Sequence, residues 1–200
     1  MATLYRLILA SGSYGRRELL RYAGYPFEVI PSNIDEDDGQ TVTNPRQYVA
    51  ELAWQKAEAV AKQMPADAES ETLILAADST VWHQERIIGK PVDEADARRI
   101  LGSLAGTTHE LWTGVCLWRL RDGTQVCWQE RSELYFKPLT PAELEHLIAT
   151  KVWEGKAGGY GIESHGDPYL TVKTGTISNV IGLPMESLAA VLGWFAPGFP

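Results

Sequence analysis

Apolar residues open the chain as a continuous run, LYRLILA from Leu4, which breaks into SGSYGRR and resumes as ELLRYAG with helical spacing. The pattern predicts a strand, a small polar turn and a helix beginning near Ser13. Phe27 to Ile30 reads as a second strand ending at Pro31 and the acidic loop NIDEDDGQ. Asn44 and Pro45 supply an N-cap and a first-turn proline for a helix to about Gln63, with an apolar stripe of Val49, Leu52, Ala53 and Val60. Lys56 falls on that stripe. Thr72 to Ala77 is unbroken and apolar, as in a central strand covered on both faces, and is expected to end on Asp78. Val81 to Ile88 suggests a small hairpin leading into Gly89, Lys90 and Pro91, and Asp93 starts a helix through about Leu104.

From His109 to Lys137 the pattern is two long strands joined at Asp122 and Gly123. Trp112, Trp118, Trp128, Tyr135 and Phe136 supply much of their bulk, as core or dimer-interface residues or as platforms for a base. Thr140, Pro141 and Glu143 form the capping signature of a helix through about Thr150. The glycine-rich GKAGGYGIESHGDP follows, then a strand at Tyr169 to Lys173 and a terminal helix from Pro184 to about Trp194. Strands alternating with helices define a mixed α/β chain without repeats or an interdomain linker.

With 200 residues, 44% of them hydrophobic and 22% charged, the chain is long enough for a sizeable core and reads as soluble and globular. No apolar run approaches the roughly 20 residues of a membrane helix, and the N-terminus lacks a signal peptide's basic start, so the expected location is the cytoplasm. The net charge of −8 argues against a general nucleic-acid surface. A polyanionic ligand would require a local basic pocket or a metal. Cys116 and Cys127 flank the hairpin turn and are expected to lie near each other, reduced, in strands.

Candidate chemistry concentrates at a few positions. Ser11, Ser13, Arg16 and the helix N-terminus would converge on one oxyanion, such as a phosphate, although an ordinary βα turn capped by Ser13 has the same pattern. Lys56 either snorkels along the core edge or points its ammonium into a cleft. Asp78, at the expected carboxyl end of a central strand, either faces a ligand or caps a turn. Gly155, Gly158, Gly159 and Gly161 permit close backbone approach to a ligand and Lys156 offers charge, but the spacing is neither a Walker nor a dinucleotide fingerprint.

Taken in order, LILASGSYGRRELL, a loop acid before a helix, QKA, LAADSTV, GKP, KAGGYGIE and NVIGLP resemble the Maf family of nucleoside triphosphate pyrophosphatases, once described through a role in septum formation. The resemblance runs from about Leu7 to Leu192. It implies an α/β fold related to the inosine triphosphate pyrophosphatases, with an elongated mixed β-sheet flanked by helices and a cleft between two lobes of a single domain. It also implies hydrolysis of a nucleoside triphosphate to the monophosphate and pyrophosphate with a divalent cation, Mg²⁺ or Mn²⁺, and makes a homodimer plausible. The family's active-site serine and arginine fall on Ser13 and Arg16, with Ser11 adjacent. Its loop glutamate falls on Glu36, its helix lysine on Lys56, its strand aspartate on Asp78 and its GKP lysine on Lys90.

These residue types suit the reaction. Arg16, Lys56 and Lys90 can neutralise phosphate oxygens, the serines supply directional donors, and Glu36 and Asp78 are the metal candidates, with Asp78 also assigned as general base. Exchanging the roles of the two carboxylates leaves the pattern unchanged. Subgroups resembling dTTP and UTP pyrophosphatases carry arginine, threonine and glutamine where this chain has Gly15, Ser79 and Glu163. The 7-methyl-GTP group carries tryptophan, glutamine and glutamate there, so Glu163 alone agrees with it, whereas the AGGYGI context resembles the pyrimidine group. The expectation is a pyrimidine or modified nucleotide, with 7-methyl-GTP hydrolysis as one alternative and a nucleotide-binding regulator of division as another.

Overall fold

The N-terminal apolar run forms a short strand, β1 (Arg6–Leu9), and the polar turn after it releases the chain into helix α1 (Tyr14–Tyr22), whose first turn the Ser13 side chain caps. The structure is a computed structural model that describes residues 5–35, 39, 41–65, 71–162 and 167–199. There follow β2 (Glu28–Val29), α2 (Pro45–Ala61), β3 (Thr72–His83), β4 (Arg86–Ile88), α3 (Glu94–Leu104), β5 (Thr108–Arg119) and β6 (Gln125–Phe136). The chain ends with α4 (Pro141–Ala149), a single 3₁₀ turn (Ala157–Gly159), β7 (Leu170–Thr174), α5 (Ile177–Ile181) and α6 (Met185–Phe195). Asn44 accepts from the Gln47 N–H, Asp93 from that of Asp96, and Thr140 and Glu143 complete a capping box, as their spacing predicts.

The strands form one seven-stranded sheet in the order β2-β1-β3-β5-β6-β7, with β4 also pairing β3. The β2–β1–β3 pairings are parallel and the others antiparallel. Side-chain alternation divides the core between the two faces. Ile8, Ala10, Ile74, Ala76 and Cys116 pack with Ala53, Ala57 and Val60 of α2. Leu7, Leu9, Leu73, Leu75, Ala77, Val115 and Leu117 pack instead with Leu20 of α1 and Leu188 and Leu192 of α6. A third cluster joins Val81, Leu111, Leu134 and Phe136 to α3, to Ile148 of α4 and to Trp153 and Tyr160.

Asp78 does not end its strand. β3 runs on to His83, because β5 remains paired with it from Leu73 to Trp82 and places Asp78 opposite Gly114. Cross-strand pairing overrides the poor strand propensity of an aspartate. β1 covers the other edge of β3 only from Thr72 to Leu75, and β4 takes up pairing on it at Val81. Between Leu75 and Val81 no described strand pairs with that edge, so Asp78 and Ser79 stand in a break in the sheet.

Two further elements differ from the sequence pattern. β2 shrinks to two residues because it is an exposed edge and Pro31, just beyond it, has no N–H to continue a ladder. α5, capped by Thr176, leaves no mark in the apolar pattern, since five residues are too few to show periodicity. Of the hairpin aromatics, Phe136 is fully buried in the core, as expected, and Trp112, Trp118, Trp128 and Tyr135 are half-buried: Trp118 stacks on Trp54, and the Trp128 indole N–H donates to Ser187 Oγ at 2.9 Å. Cys116 and Cys127 are direct cross-strand partners and free thiols. Among the described residues no helix is long and apolar enough to cross a membrane.

Candidate active site

A cleft of about 1300 Å³ opens beyond the carboxyl end of β1, between the α1–α5 region and the wall built from α4 and the glycine-rich loop. The β1–α1 turn brings Ser11, Ser13, Gly15 and Arg16 to it, α2 brings Lys56, β3 brings Asp78 and Ser79, and the segment after β4 brings Lys90. Glu36 and Glu163 lie outside the described residues. Lys156 and Tyr160 of the glycine-rich loop line the opposite wall.

Asp78 and Ser79 are adjacent in β3 and so point to opposite faces of the sheet. On the α2 face, Lys56 Nζ donates to Asp78 Oδ1 at 2.5 Å, with each side chain only 9% exposed. Lys56 thus lies on the buried stripe of its helix because its ammonium ends on a buried carboxylate. Burial leaves neither charge with bulk water as a substitute for its partner, so the two groups depend on each other.

On the other face Arg16 is held through three atoms of its guanidinium. Nε donates to the Gly182 carbonyl at 2.7 Å, Nη1 to Ser11 Oγ at 3.0 Å and Nη2 to Ser79 Oγ at 3.1 Å. Ser11 Oγ also accepts the Ser13 N–H at 3.2 Å, which ties the turn together. Ser13 Oγ accepts the Arg16 N–H at 3.4 Å, so its position is first of all that of a helix cap facing the cleft. Ser79 Oγ lies 2.9 Å from Thr113 Oγ1, which donates to the Asn179 carbonyl at 3.2 Å. Neither Thr113 nor the Gly182 carbonyl emerges from sequence spacing, although the NVIGLP segment that carries Asn179 and Gly182 does.

Glycines shape the walls at two positions. A Cβ on residue 15 would stand 2.8 Å from Ile181 Cγ2 and 3.2 Å from the Ile181 carbonyl oxygen, so Gly15 lets α5 close against α1. A Cβ on residue 161 would stand 2.6 Å from Lys156 Nζ, so Gly161 accommodates the lysine folded across it. Behind that wall His109 Nε2 and the Tyr160 hydroxyl are hydrogen-bonded at 2.7 Å. Burial, and secondarily His83, lowers the His109 pKa to about 4, and burial raises that of Tyr160.

Residues 6–195 match the family described as Maf-like protein. The chain belongs to the Maf family. A Maf relative from Bacillus cereus named dTTP/UTP pyrophosphatase is 40% identical over 190 residues, covering 95% of each chain. Another of that name from Bacillus cytotoxicus is 41% identical over 193 residues, covering 96% of this chain and 97% of its own. The structure also aligns with a nucleoside-triphosphatase / dITP/XTP pyrophosphatase from Mycobacterium abscessus over 96% of this chain and 94% of the other, with 13% identity and a TM-score of 0.43.

Proposed function

We propose that this Maf protein hydrolyses a nucleoside triphosphate, pyrimidine (dTTP- or UTP-like) or modified, to the monophosphate and pyrophosphate, and so cleanses the nucleotide pool. The observation that carries the reading is the buried Lys56–Asp78 pair, which shares one cleft with Arg16, Ser11, Ser13 and Lys90. The names of relatives about 40% identical over nearly the whole chain support the pyrimidine preference.

Water attacks the α-phosphorus, the α–β bridging bond breaks and pyrophosphate leaves. Asp78 accepts the proton of the attacking water through the carboxylate that Lys56 orients. Arg16 and Lys90 balance phosphate charge, and the Ser13-capped start of α1 offers directional N–H donors to an oxyanion. Preorganisation matters because buried Arg16 is already held by three hydrogen bonds and need not reorient as charge moves. Gly15, Ser79 and Glu163 belong to the recognition of the base in this reading.

The buried carboxylate of Asp78 in the cleft is a hard oxygen donor of the kind that Mg²⁺ or Mn²⁺ takes. A small hard cation is commonly held by one or two carboxylates together with substrate phosphates, and Asp78 and Glu36 would be those carboxylates. Among the described residues no group of three or more His, Cys, Asp or Glu gathers to hold a metal ion. When bound, the cation supplies charge neutralisation on phosphate oxygens and acidifies the attacking water. The same reading makes the protein a cytoplasmic homodimer without nucleic-acid or membrane partners; the net charge of −8 supports the nucleic-acid part alone.

Pyrophosphate release across dTTP, UTP, CTP, GTP, 7-methyl-GTP and modified pyrimidine triphosphates, with Mg²⁺, Mn²⁺ or chelator, tests the proposal. Cation-dependent turnover led by a pyrimidine supports it. Turnover confined to 7-methyl-GTP transfers the assignment to the Glu163 alternative, and nucleotide binding without turnover transfers it to a regulatory protein.

A further inference from the structure

We infer that Thr113, which does not line the cleft, is a positioning residue that fixes Arg16 through Ser79 and α5. The catalytic part of this inference rests on the proposed reading of the cleft as a triphosphate site. Thr113 is fully buried at the centre of β5, directly opposite Ser79 in register. Its hydroxyl lies 2.9 Å from Ser79 Oγ and 3.2 Å from the Asn179 carbonyl oxygen.

The donor directions along this chain follow from its two ends. A guanidinium only donates, so Ser79 Oγ accepts from Arg16 Nη2. A carbonyl only accepts, so the Thr113 hydroxyl hydrogen is committed to Asn179. The contact between the two hydroxyls then has one direction, with Ser79 donating to Thr113. Each hydroxyl accepts from one side and donates to the other, an arrangement in which successive bonds polarise one another. Ser79 therefore faces Arg16 as an acceptor, with its only hydrogen turned away from the cleft.

The second arm runs through α5. The Asn179 carbonyl held by Thr113 stands one helical turn before Gly182, whose own carbonyl accepts Arg16 Nε at 2.7 Å. Asn179 Nδ2 donates to Ser132 Oγ at 2.8 Å, so β5 and β6 both anchor this helix of five residues. A helix so short has little stability of its own. Those side-chain bonds fix it together with the packing of Val180 in the core and of Ile181 against Gly15. Of the Arg16 donors, Nη2 ends on Ser79, which Thr113 contacts, and Nε on the Gly182 carbonyl, whose own N–H shares the Asn179 carbonyl with Thr113.

Thr113→Val keeps the shape and removes the hydroxyl, whereas Thr113→Ser keeps the hydroxyl. The valine variant should lose about 10–100-fold in kcat/KM for the best nucleotide, the size of effect expected from misplacing a positioning group. The serine variant should recover most of that loss, and Thr113→Val should add little in a Ser79→Ala background. The Arg16 Nε–H resonance of the nucleotide-free protein, assigned by its loss in Arg16→Lys, gives a readout that requires no turnover. It should shift and exchange faster in Thr113→Val but not in Thr113→Ser.

An unmoved Arg16 resonance in the valine variant overturns the inference. So does equal impairment of the valine and serine variants, which would make Thr113 a packing residue, or full additivity with Ser79→Ala. Absence of hydrolysis by the parent protein would refute the pyrophosphatase reading instead, while the resonance still decides whether Thr113 sets Arg16.

Discussion

Gly114 and Val49 meet backbone to backbone: a Cβ on residue 114 would stand 2.2 Å from the Val49 carbonyl oxygen. Gly114 is also the residue opposite Asp78 in the β3–β5 register, and Val49 lies two helical turns before Lys56 in α2. The missing side chain thus lets α2 settle on the sheet at the height where its lysine reaches the aspartate. Gly114→Ala should cost about 3 kcal/mol or more, because backbone rather than a flexible side chain must give way. Urea denaturation measures the loss, and kcat should fall further than the unfolded fraction accounts for as Lys56 is lifted from Asp78.

The two members of the buried pair are expected to fail differently. Asp78→Asn removes the base, so kcat should drop about 10²–10⁴-fold in the protein that folds, and it also takes away the charge that faces the buried Lys56 ammonium, which lowers stability as well. Nearly full cation-dependent turnover in that variant would refute the base assignment. Lys56→Met leaves an uncompensated carboxylate only 9% exposed, and its larger effect should be on stability, about 3–5 kcal/mol. Kinetics and denaturation on both variants separate the two roles.

The family resemblance sets an arginine of the pyrimidine subgroup at the position of Gly15, and introducing that residue should be harmful by itself. The new Cβ would meet Ile181 Cγ2 at 2.8 Å and push on α5, which leads into the Gly182 carbonyl that holds Arg16. Gly15→Arg should therefore lower kcat/KM on every nucleotide. Adding Ile181→Ala removes the closest contact and should recover part of the loss. If Gly15→Arg alone raises activity on dTTP and UTP, the packing account of Gly15 is incorrect.

Local chemistry was the legible part of the sequence. The caps at Ser13, Asn44, Asp93 and Thr140 announce four helices, and each side chain accepts the predicted backbone N–H. Lys56 declared itself by occupying an apolar stripe, and Asp78 by closing an apolar run. Long-range pairing was illegible. That β3 passes through Asp78 depends on β5, and that Ser79 meets Thr113 depends on a register set across more than 30 residues of intervening chain. α5 has too few residues for a period, yet it leads into the carbonyl that orients Arg16.

The His109–Tyr160 pair should make stability depend on pH below neutrality. His109 is 2% exposed, its ring stands 6.4 Å from that of His83, and its pKa falls from an ordinary 6.5 to about 4. Between those two values the unfolded chain binds a proton that the folded chain does not, so unfolding becomes more favourable as pH falls. The contribution is fully present above pH 6.5 and is lost progressively on acidification to about pH 4, where the folded form also protonates. A shift of that size corresponds to about 3 kcal/mol. His109→Gln keeps a polar partner for the Tyr160 hydroxyl but does not titrate, so its stability should vary less with pH over this window. Urea midpoints of parent and variant at half-unit steps from about pH 4 to pH 7 measure the difference. Parallel curves would place the parent's acid sensitivity in other groups.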